Sequence, residues 1–301
     1  MSLPLKELIN IGAQQLRDAG VADAEIDAKE LLCHLQGYNR VGLMLHWQDI
    51  MQDNQCEAYF DLIARRASRV PLQHITGSQE FMGLTFEVND KVLIPRQDTE
   101  TMVEDALELA DKGTLRSVAY TDRLKKGGDV LDLCCGSGAI GVSLAKLNGR
   151  FHVTCSDLSA EALKVARGNA ILNGCKGVRF VESDMFAEFK GRLSSKKFDF
   201  IISNPPYIPP AVIEELEPEV RDHEPVMALD GGEDGLDFYR KIAAQAPDHL
   251  KKGGVLMMEI GHDQREKVCG LLEESKRFCQ ITGLKDLTGK DRIIVAQLTG
   301  K

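Results

Sequence analysis

The chain has no run of about 18 apolar residues of the kind that spans a bilayer, and no basic-then-apolar leader follows Met1. No membrane association is therefore expected. Its eight cysteines include no Cys-x-x-Cys pair, and the adjacent Cys134-Cys135 suits neither a zinc site nor an easy disulfide. A reducing cytoplasm is the expected location. The seven histidines show no ligand spacing, so no metal is assigned. Positive charge is also short: 37 Lys and Arg face 46 Asp and Glu, a net charge of −9. Phosphate binding needs clustered Lys and Arg, so no stable nucleic-acid complex is expected, while a basic protein partner stays open. Internal repeats and low-complexity tracts are missing too.

What is present divides the chain. At 301 residues one large and one small domain is the natural expectation. Leu5, Leu8, Ile9 and Leu16 recur at helical spacing before Gly20, and Asp23 can cap a second helix carrying Ala28, Leu31, Leu32 and Leu35. Cys56, Tyr59, Ile63 and Ala67 mark another before Pro71. Residues 1–75 thus read as a small helical domain. Leu84, Phe86 and Val88 alternate, Asn89-Asp90 can turn, and Val92 to Ile94 can return, which makes 76–96 a β-hairpin linker. From Gln97 to residue 301 strands and helices alternate, which implies an α/β, doubly wound sheet. The stretch Gly113 to Gly128 reads as a surface loop, Val255 to Ile260 as a strand, and the regions around Gln280 and Ile293 to Ala296 as a late strand pair.

Four strand ends carry chemistry. Asp129 to Leu133 runs through Cys134-Cys135 into Gly136-Ser137-Gly138-Ala139-Ile140-Gly141 and an apolar helix. Glycines at a first βα turn let the backbone approach a ligand closely, with helix N–H groups aimed at it. A second strand, Phe151 to Ser156, ends at Asp157, nineteen residues beyond Gly138, where a carboxylate accepts hydrogen bonds from a ribose diol. A third, Val178 to Glu182, ends in Ser183-Asp184-Met185-Phe186, a carboxylate and apolar side chains suited to an adenine ring. The fourth, Phe198 to Ser203, stops at Asn204-Pro205-Pro206-Tyr207. The prolines have no N–H, so their carbonyls face no competing local donor. Asn204 adds a side-chain acceptor and Tyr207 a flat face, which together suit a planar group bearing NH2. In such a sheet these ends share one rim. Asp132, inside the first strand, must find donors if buried; it is expected to brace the glycine loop or its waters, and both a purely structural bond to loop amides and direct contact with a bound ligand stay open.

The chain resembles class I S-adenosylmethionine-dependent methyltransferases, and more narrowly the release-factor glutamine methyltransferases, the PrmC/HemK family. The narrower likeness rests on Phe81-Met82-Gly83, Leu93 to Glu100, Asp132-Leu133 with Gly136 to Ile140, and Asn204-Pro205-Pro206-Tyr207-Ile208. It continues in His223-Glu224-Pro225, Ala228-Leu229, Gly231-Gly232 with Asp234-Gly235-Leu236, and Asp291-Arg292. It implies a mostly parallel seven-stranded methyltransferase sheet and a helical domain that binds the protein substrate. The implied cofactor is S-adenosylmethionine, held by Cys134, Cys135, Gly136, Ser137, Gly138, Asp157, Asp184, Met185 and Asn204. The implied reaction methylates the side-chain nitrogen of the glutamine in the Gly-Gly-Gln loop of peptide chain release factors, with Asn204, Pro205, Pro206 and Tyr207 at the substrate. Three departures bear on cofactor packing. Cys134-Cys135 stands where the family has Gly-Thr or Gly-Ser, Gln97 where it has proline, and Met185 where it has an aromatic.

Other readings share parts of this pattern. A DNA adenine-N6 methyltransferase uses the same strand end on a flipped base, but the chain is acidic and has no basic recognition domain. An NAD-linked oxidoreductase shares Gly136-x-Gly138-x-x-Gly141 and Asp157 yet leaves Asn-Pro-Pro-Tyr unexplained. A non-catalytic cofactor-binding protein has only Cys134-Cys135 in its favour. Past the motif, the acidic segment Glu214-Glu215-Leu216-Glu217-Pro218-Glu219 either steers a basic loop or is a solvated helix face.

Overall fold

Helical stripes at the start of the chain and two-residue alternation further on give two kinds of core. The computed structural model describes residues 2–116, 118–190 and 196–300. The chain divides into two units, one of residues up to Ser78 together with Leu216–His223, the other of Gln79–Glu215 and Glu224 onward. Among the described residues no helix is long and apolar enough to cross a membrane.

In the first unit the long helices are α1 (Leu5–Asp18), α2 (Ala24–Gln36) and α3 (Asp53–Ala67). Leu5, Leu8, Ile9 and Leu16 of α1, with Ala28, Leu31 and Leu32 of α2, are buried with Tyr59 and Ile63 of α3. Asp23 stands at the N-cap of α2, but its side chain makes no capping bond. Tyr59 ties the three helices together. Its hydroxyl donates to the Ala28 carbonyl at 3.1 Å, and a Cβ on Gly12 would lie 2.5 Å from that oxygen. Only glycine lets α1 come so close.

The part of the acidic segment from Leu216 on belongs to this unit. Glu219 accepts from Arg66 at 2.9 Å and from Arg69 at 2.6 Å, Arg66 also pairs with Asp27 at 2.7 Å, and Arg69 reaches Glu217 at 3.1 Å. Glu219 is neither a steering charge nor part of a solvated face; its side chain is 18% exposed, those of Arg66 and Asp27 8%. Burial raises the Asp27 carboxyl against the pull of Arg66. Burial also acts to raise Glu219, but bonds from Arg69 and Arg66 outweigh it and hold that carboxyl down at about 2.

In the second unit a two-stranded hairpin, Ser78–Phe81 with Leu84–Glu87, turns at Met82-Gly83, both at positive φ. The hairpin expected from Leu84 to Ile94 is thus one strand early: Leu84–Glu87 is its second strand, and Val92 to Ile94 form none. The turn chemistry of Met82-Gly83 outweighs Asn89-Asp90. The expected surface loop at 113–128 is also corrected. It holds short paired strands, Thr114–Leu115 and Val118–Ala119, and a 3₁₀ turn at Arg123–Lys126, with Leu115, Tyr120 and Leu124 buried in the core.

The main sheet has seven strands: β1 (Gly128–Leu133), β2 (Phe151–Asp157), β3 (Arg179–Glu182), β4 (Phe198–Ser203), β5 (Leu250–Glu259), β6 (Phe278–Lys285) and β7 (Asp291–Leu298). Their order is β6-β7-β5-β4-β1-β2-β3, and only β7 runs antiparallel to its neighbours. The alternation of β4 shows why the sheet is covered on both faces. Phe200 and Ile202 pack with α4 (Gln97–Lys112), α5 (Ala139–Leu147) and α6 (Ala160–Leu172), while Ile201 and, across a register shift between Phe198 and Phe200, Phe198 pack with α7 (Asp237–His249) and α8 (Arg265–Glu274).

Arg66→Ala leaves Asp27 and Glu219 buried without their shared cation. It should destabilise the helical unit by about 3–5 kcal/mol, read as a shift in its denaturant unfolding transition; a loss below about 1 kcal/mol would mean that solvent already carries the pair. The depressed Glu219 carboxyl should stabilise fully above its ordinary value of 4.5, with that stabilisation lost as pH falls toward 2.

Candidate active site

The strand order reverses between β1 and β4, and open α/β sheets bind ligands outside the carboxyl ends at such a point. Register makes the rim. Leu133 pairs with both Ser156 and Ser203, so Cys134, Asp157 and Asn204 leave the sheet side by side. A cavity of about 300 Å³ opens there, within the range of small-molecule sites. Cys134, Cys135, Gly136, Ser137, Asp157, Asp184, Met185, Asn204 and Pro206 all line it. Gly138, Pro205 and Tyr207 do not.

The loop after β1 is built for close approach. Cys134, Gly136 and Gly138 all adopt positive φ, and a Cβ on Gly136 would meet no atom within 4 Å. The Gly136 N–H donates to one Asp157 oxygen at 2.8 Å and the Ser159 N–H to the other at 2.9 Å. Burial raises the Asp157 carboxyl despite these bonds. Gly138 serves packing: a Cβ there would sit 3.0 Å from Ala166. Asn169, fully buried, fastens the loop from below by donating to the carbonyls of Ser137 and Glu87 at 2.9 and 3.0 Å. Nothing in the local sequence signals that role, because its partners lie 32 and 82 residues away.

Asp132 is fully buried and does not line the cavity. One oxygen accepts from the Gly141 N–H at 2.8 Å, and the other has no partner among the described residues. Burial pushes its carboxyl up to about 7, against the pull of the Gly141 N–H. It braces the first turn of α5.

Two of the three family departures touch each other. Cys134 Sγ lies 4.0 Å from Met185 Sδ, and both residues hold positive φ. The Cys134 thiol is pushed well above its usual range by burial and by Asp157 and Asp132. Cys135 is pushed up by its contact with Cys155 and by burial.

The fourth strand end is fixed from behind. The Ser203 hydroxyl donates to the Leu133 carbonyl at 2.7 Å. Gln264 donates to the Tyr207 carbonyl at 3.0 Å, and a Cβ on Gly231 would lie 2.6 Å from Tyr207 Cα. The Tyr207 ring packs against the core on the α7 face, and burial pushes its hydroxyl up to about 12. Asn204 Nδ2 donates to Thr99 Oγ1 at 3.4 Å, and Thr99 donates to Glu259 at 2.6 Å. Glu224 accepts from the Ile94 N–H at 3.3 Å and from Arg96 at 2.8 Å, fixing the wall formed by Leu93, Pro95 and Arg96. Thr99 and Glu224 lay in sequence motifs, but Glu259, hidden at the end of an apolar strand, carried no signal.

A seven-stranded sheet of this order, with a glycine-bearing first turn and acceptors at its central strand ends, defines a class I methyltransferase domain. The comparisons with known proteins agree. Residues 7–77 match the PrmC N-terminal domain and residues 101–215 the methyltransferase small domain. The chain is 42% identical to a release factor glutamine methyltransferase of Geobacter sulfurreducens, over 93% of this chain and 91% of that protein. It is 38% identical to one of Deinococcus radiodurans, over 99% and 100%. Among solved structures the hMettl16 catalytic domain, in complex with MAT2A 3′UTR hairpin 6, shares the fold with a TM-score of 0.53 at 12% identity, covering 84% of this chain and 85% of that one. The chain belongs to the release factor glutamine methyltransferases, and it is an enzyme of the protein-(glutamine-N5) methyltransferase class.

Thiol reactivity checks the electrostatics of the loop. With native protein at pH 8, an alkylating reagent should modify exposed Cys279 first and leave Cys134, Cys135 and Cys155 protected until the chain unfolds. Peptide mass spectrometry reads this directly; early labelling of Cys134 would mean that burial does not hold its thiol protonated.

Proposed function

We propose that this enzyme methylates the side-chain nitrogen of the glutamine in the Gly-Gly-Gln loop of peptide chain release factors, using S-adenosylmethionine. The observation that carries the reading is the single cavity wall shared by the Gly136 loop, Asp157 and Asn204. The donor set fits the cofactor: Asp157 and Asp184 are acceptors for a ribose and a base amine, and Met185, Leu158 and Ala162 offer apolar surface to a ring. Lys91, Arg96 and Lys241 put positive charge on the same walls, which suits a carboxylate. S-adenosylmethionine would supply a methyl group on a sulfonium.

What remains for the protein is to present the amide. An amide nitrogen is a poor nucleophile because its lone pair is delocalised, a conjugation reflected in a rotation barrier of about 18–20 kcal/mol. Asn204 Oδ1, which lines the cavity, is assigned one N–H bond, and the Pro205 carbonyl, which lies just outside the lining, is assigned the other; together they hold the nitrogen with its developing lone pair toward the methyl group. Alignment of this kind contributes up to about 7–11 kcal/mol. The N-methylated amide cation sheds its proton readily, so no strong base is assigned. The Tyr207 ring, expected at the amide face, packs against the core and does not line the cavity, so no contact with the amide is assigned to it. The helical unit is assigned to docking the release factor.

Asp157→Ala removes a charged acceptor worth about 1.5–3 kcal/mol, so S-adenosylmethionine affinity should fall about 10- to 100-fold in a calorimetric titration. Unchanged affinity would remove Asp157 from the ribose.

Asn204→Ala should lower single-turnover methylation of release factor by about 100-fold while cofactor affinity stays within about twofold, the pattern of a lost transition-state interaction. A rate near that of the unaltered enzyme would end the orientation mechanism.

A further inference from the structure

Asn204 can accept from a substrate amide only if its oxygen, and not its NH2, faces the cavity. The two ends of a carboxamide have nearly the same shape, so packing alone does not choose between them. A hydrogen-bonded chain behind Asn204 does. Ser203 pairs in register with Met258, which sets the following residues, Asn204 and Glu259, beside each other at the ends of β4 and β5. Glu259 is 2% exposed, and its carboxylate accepts from the Thr99 hydroxyl at 2.6 Å.

An ionised carboxylate can only accept. The Thr99 hydrogen is therefore committed to Glu259, and the Thr99 oxygen has only lone pairs left for its other neighbour. That neighbour is Asn204, which must turn its NH2 toward Thr99, at 3.4 Å. Its oxygen is then left for the cavity that Asn204 lines. We propose that Glu259 is a positioning residue which, through Thr99, fixes the acceptor end of Asn204 toward the substrate.

The inference deepens the activity proposed above, and rests on it for its kinetic readout. A protonated Glu259 donates instead, frees the Thr99 hydrogen for Asn204 Oδ1, and lets the carboxamide turn over. Burial pushes this carboxyl up to about 7, opposed by the Thr99 bond, Arg292 and a hydrogen bond from the Asn204 side chain, so that Glu259 draws the Asn204 NH2 directly as well as through Thr99. The groups facing it are Thr99 and Asp98 on α4, Arg292 on β7, Asn204 and Tyr207 after β4, and Tyr239 on α7, whose hydroxyl donates to the Glu259 backbone carbonyl at 2.9 Å. Arg292 is itself paired with Asp98 at 2.9 Å and Asp286 at 3.2 Å.

Three variants of the full chain test this, with S-adenosylmethionine and intact release factor. Glu259→Gln and Thr99→Val should each lower kcat about 10- to 100-fold with KM and cofactor affinity within about twofold. The unaltered enzyme should show an acid limb near neutral pH that both variants lose, and Thr99→Ser should recover most of the rate lost in Thr99→Val. A Glu259→Gln enzyme with unaltered kcat and acid limb overturns the proposal. A second readout needs no turnover. In protein labelled with ¹⁵N-asparagine, the Asn204 carboxamide signals, assigned by their loss in Asn204→Ala, should shift through one titration near pH 7 and stop doing so in Glu259→Gln. Signals that ignore that substitution overturn the proposal, whether or not methylation of release factor is observed; absent methylation alone tells against the substrate assignment and leaves this result standing.

Discussion

The alignment of three strand ends, with Leu133 in register with both Ser156 and Ser203, is the constraint on which the site depends. Parallel strands held by slanted hydrogen bonds cannot slip by one residue without exchanging their buried faces. Phe200 and Ile202 lie on one core and Phe198 and Ile201 on the other. The packing that stabilises the sheet therefore also fixes where Cys134, Asp157 and Asn204 emerge. Groups placed on separate mobile loops would have to be ordered on binding; here the core has already fixed the spacing of Cys134, Asp157 and Asn204.

Buried carboxylates carry the second layer of organisation. Asp132, Asp157, Glu224 and Glu259 each lie at or behind the cavity, and burial raises every one of them. Each meets backbone N–H groups or a hydroxyl, and Glu224 also meets Arg96. A carboxylate bonded to the backbone N–H of Gly136 or Gly141 pins a glycine-rich loop that has no side chains of its own to pack. The desolvation cost falls on the acids, and the benefit is a loop held in one conformation before any ligand arrives.

Much of this was legible in the sequence, for a definite reason. Strand ends followed by Gly-x-Gly, Asp, Asp and Asn-Pro-Pro-Tyr are local patterns, and local chemistry specifies them. The hairpin was misplaced by one strand because Asn89-Asp90 is the stronger turn signal on paper, while Met82-Gly83 adopts the paired positive φ that closes a two-residue turn. Asn169, Thr99 and Glu259 escaped as site residues because their partners are distant in the chain: Thr99 and Glu259 stand 160 residues apart. No spacing rule reaches that far. Asp132 was visible as a buried charge, and only the fold could say that it faces Gly141 and not the cavity.

The acidic segment after the motif shows how a charge run changes meaning once its partners are known. From sequence, its acids could all act on a distant basic partner. In the structure Glu219 is held between Arg66 and Arg69, and an acid neutralised by two guanidinium groups projects little field beyond about one Debye length. Glu217, 78% exposed, and Glu214 and Glu215, also exposed, are what solvent sees. The segment that holds Glu219 in the helical unit is followed at once by Glu224, which anchors Ile94 and Arg96 at the cavity. Whatever field this segment projects into solvent therefore comes from Glu214, Glu215 and Glu217.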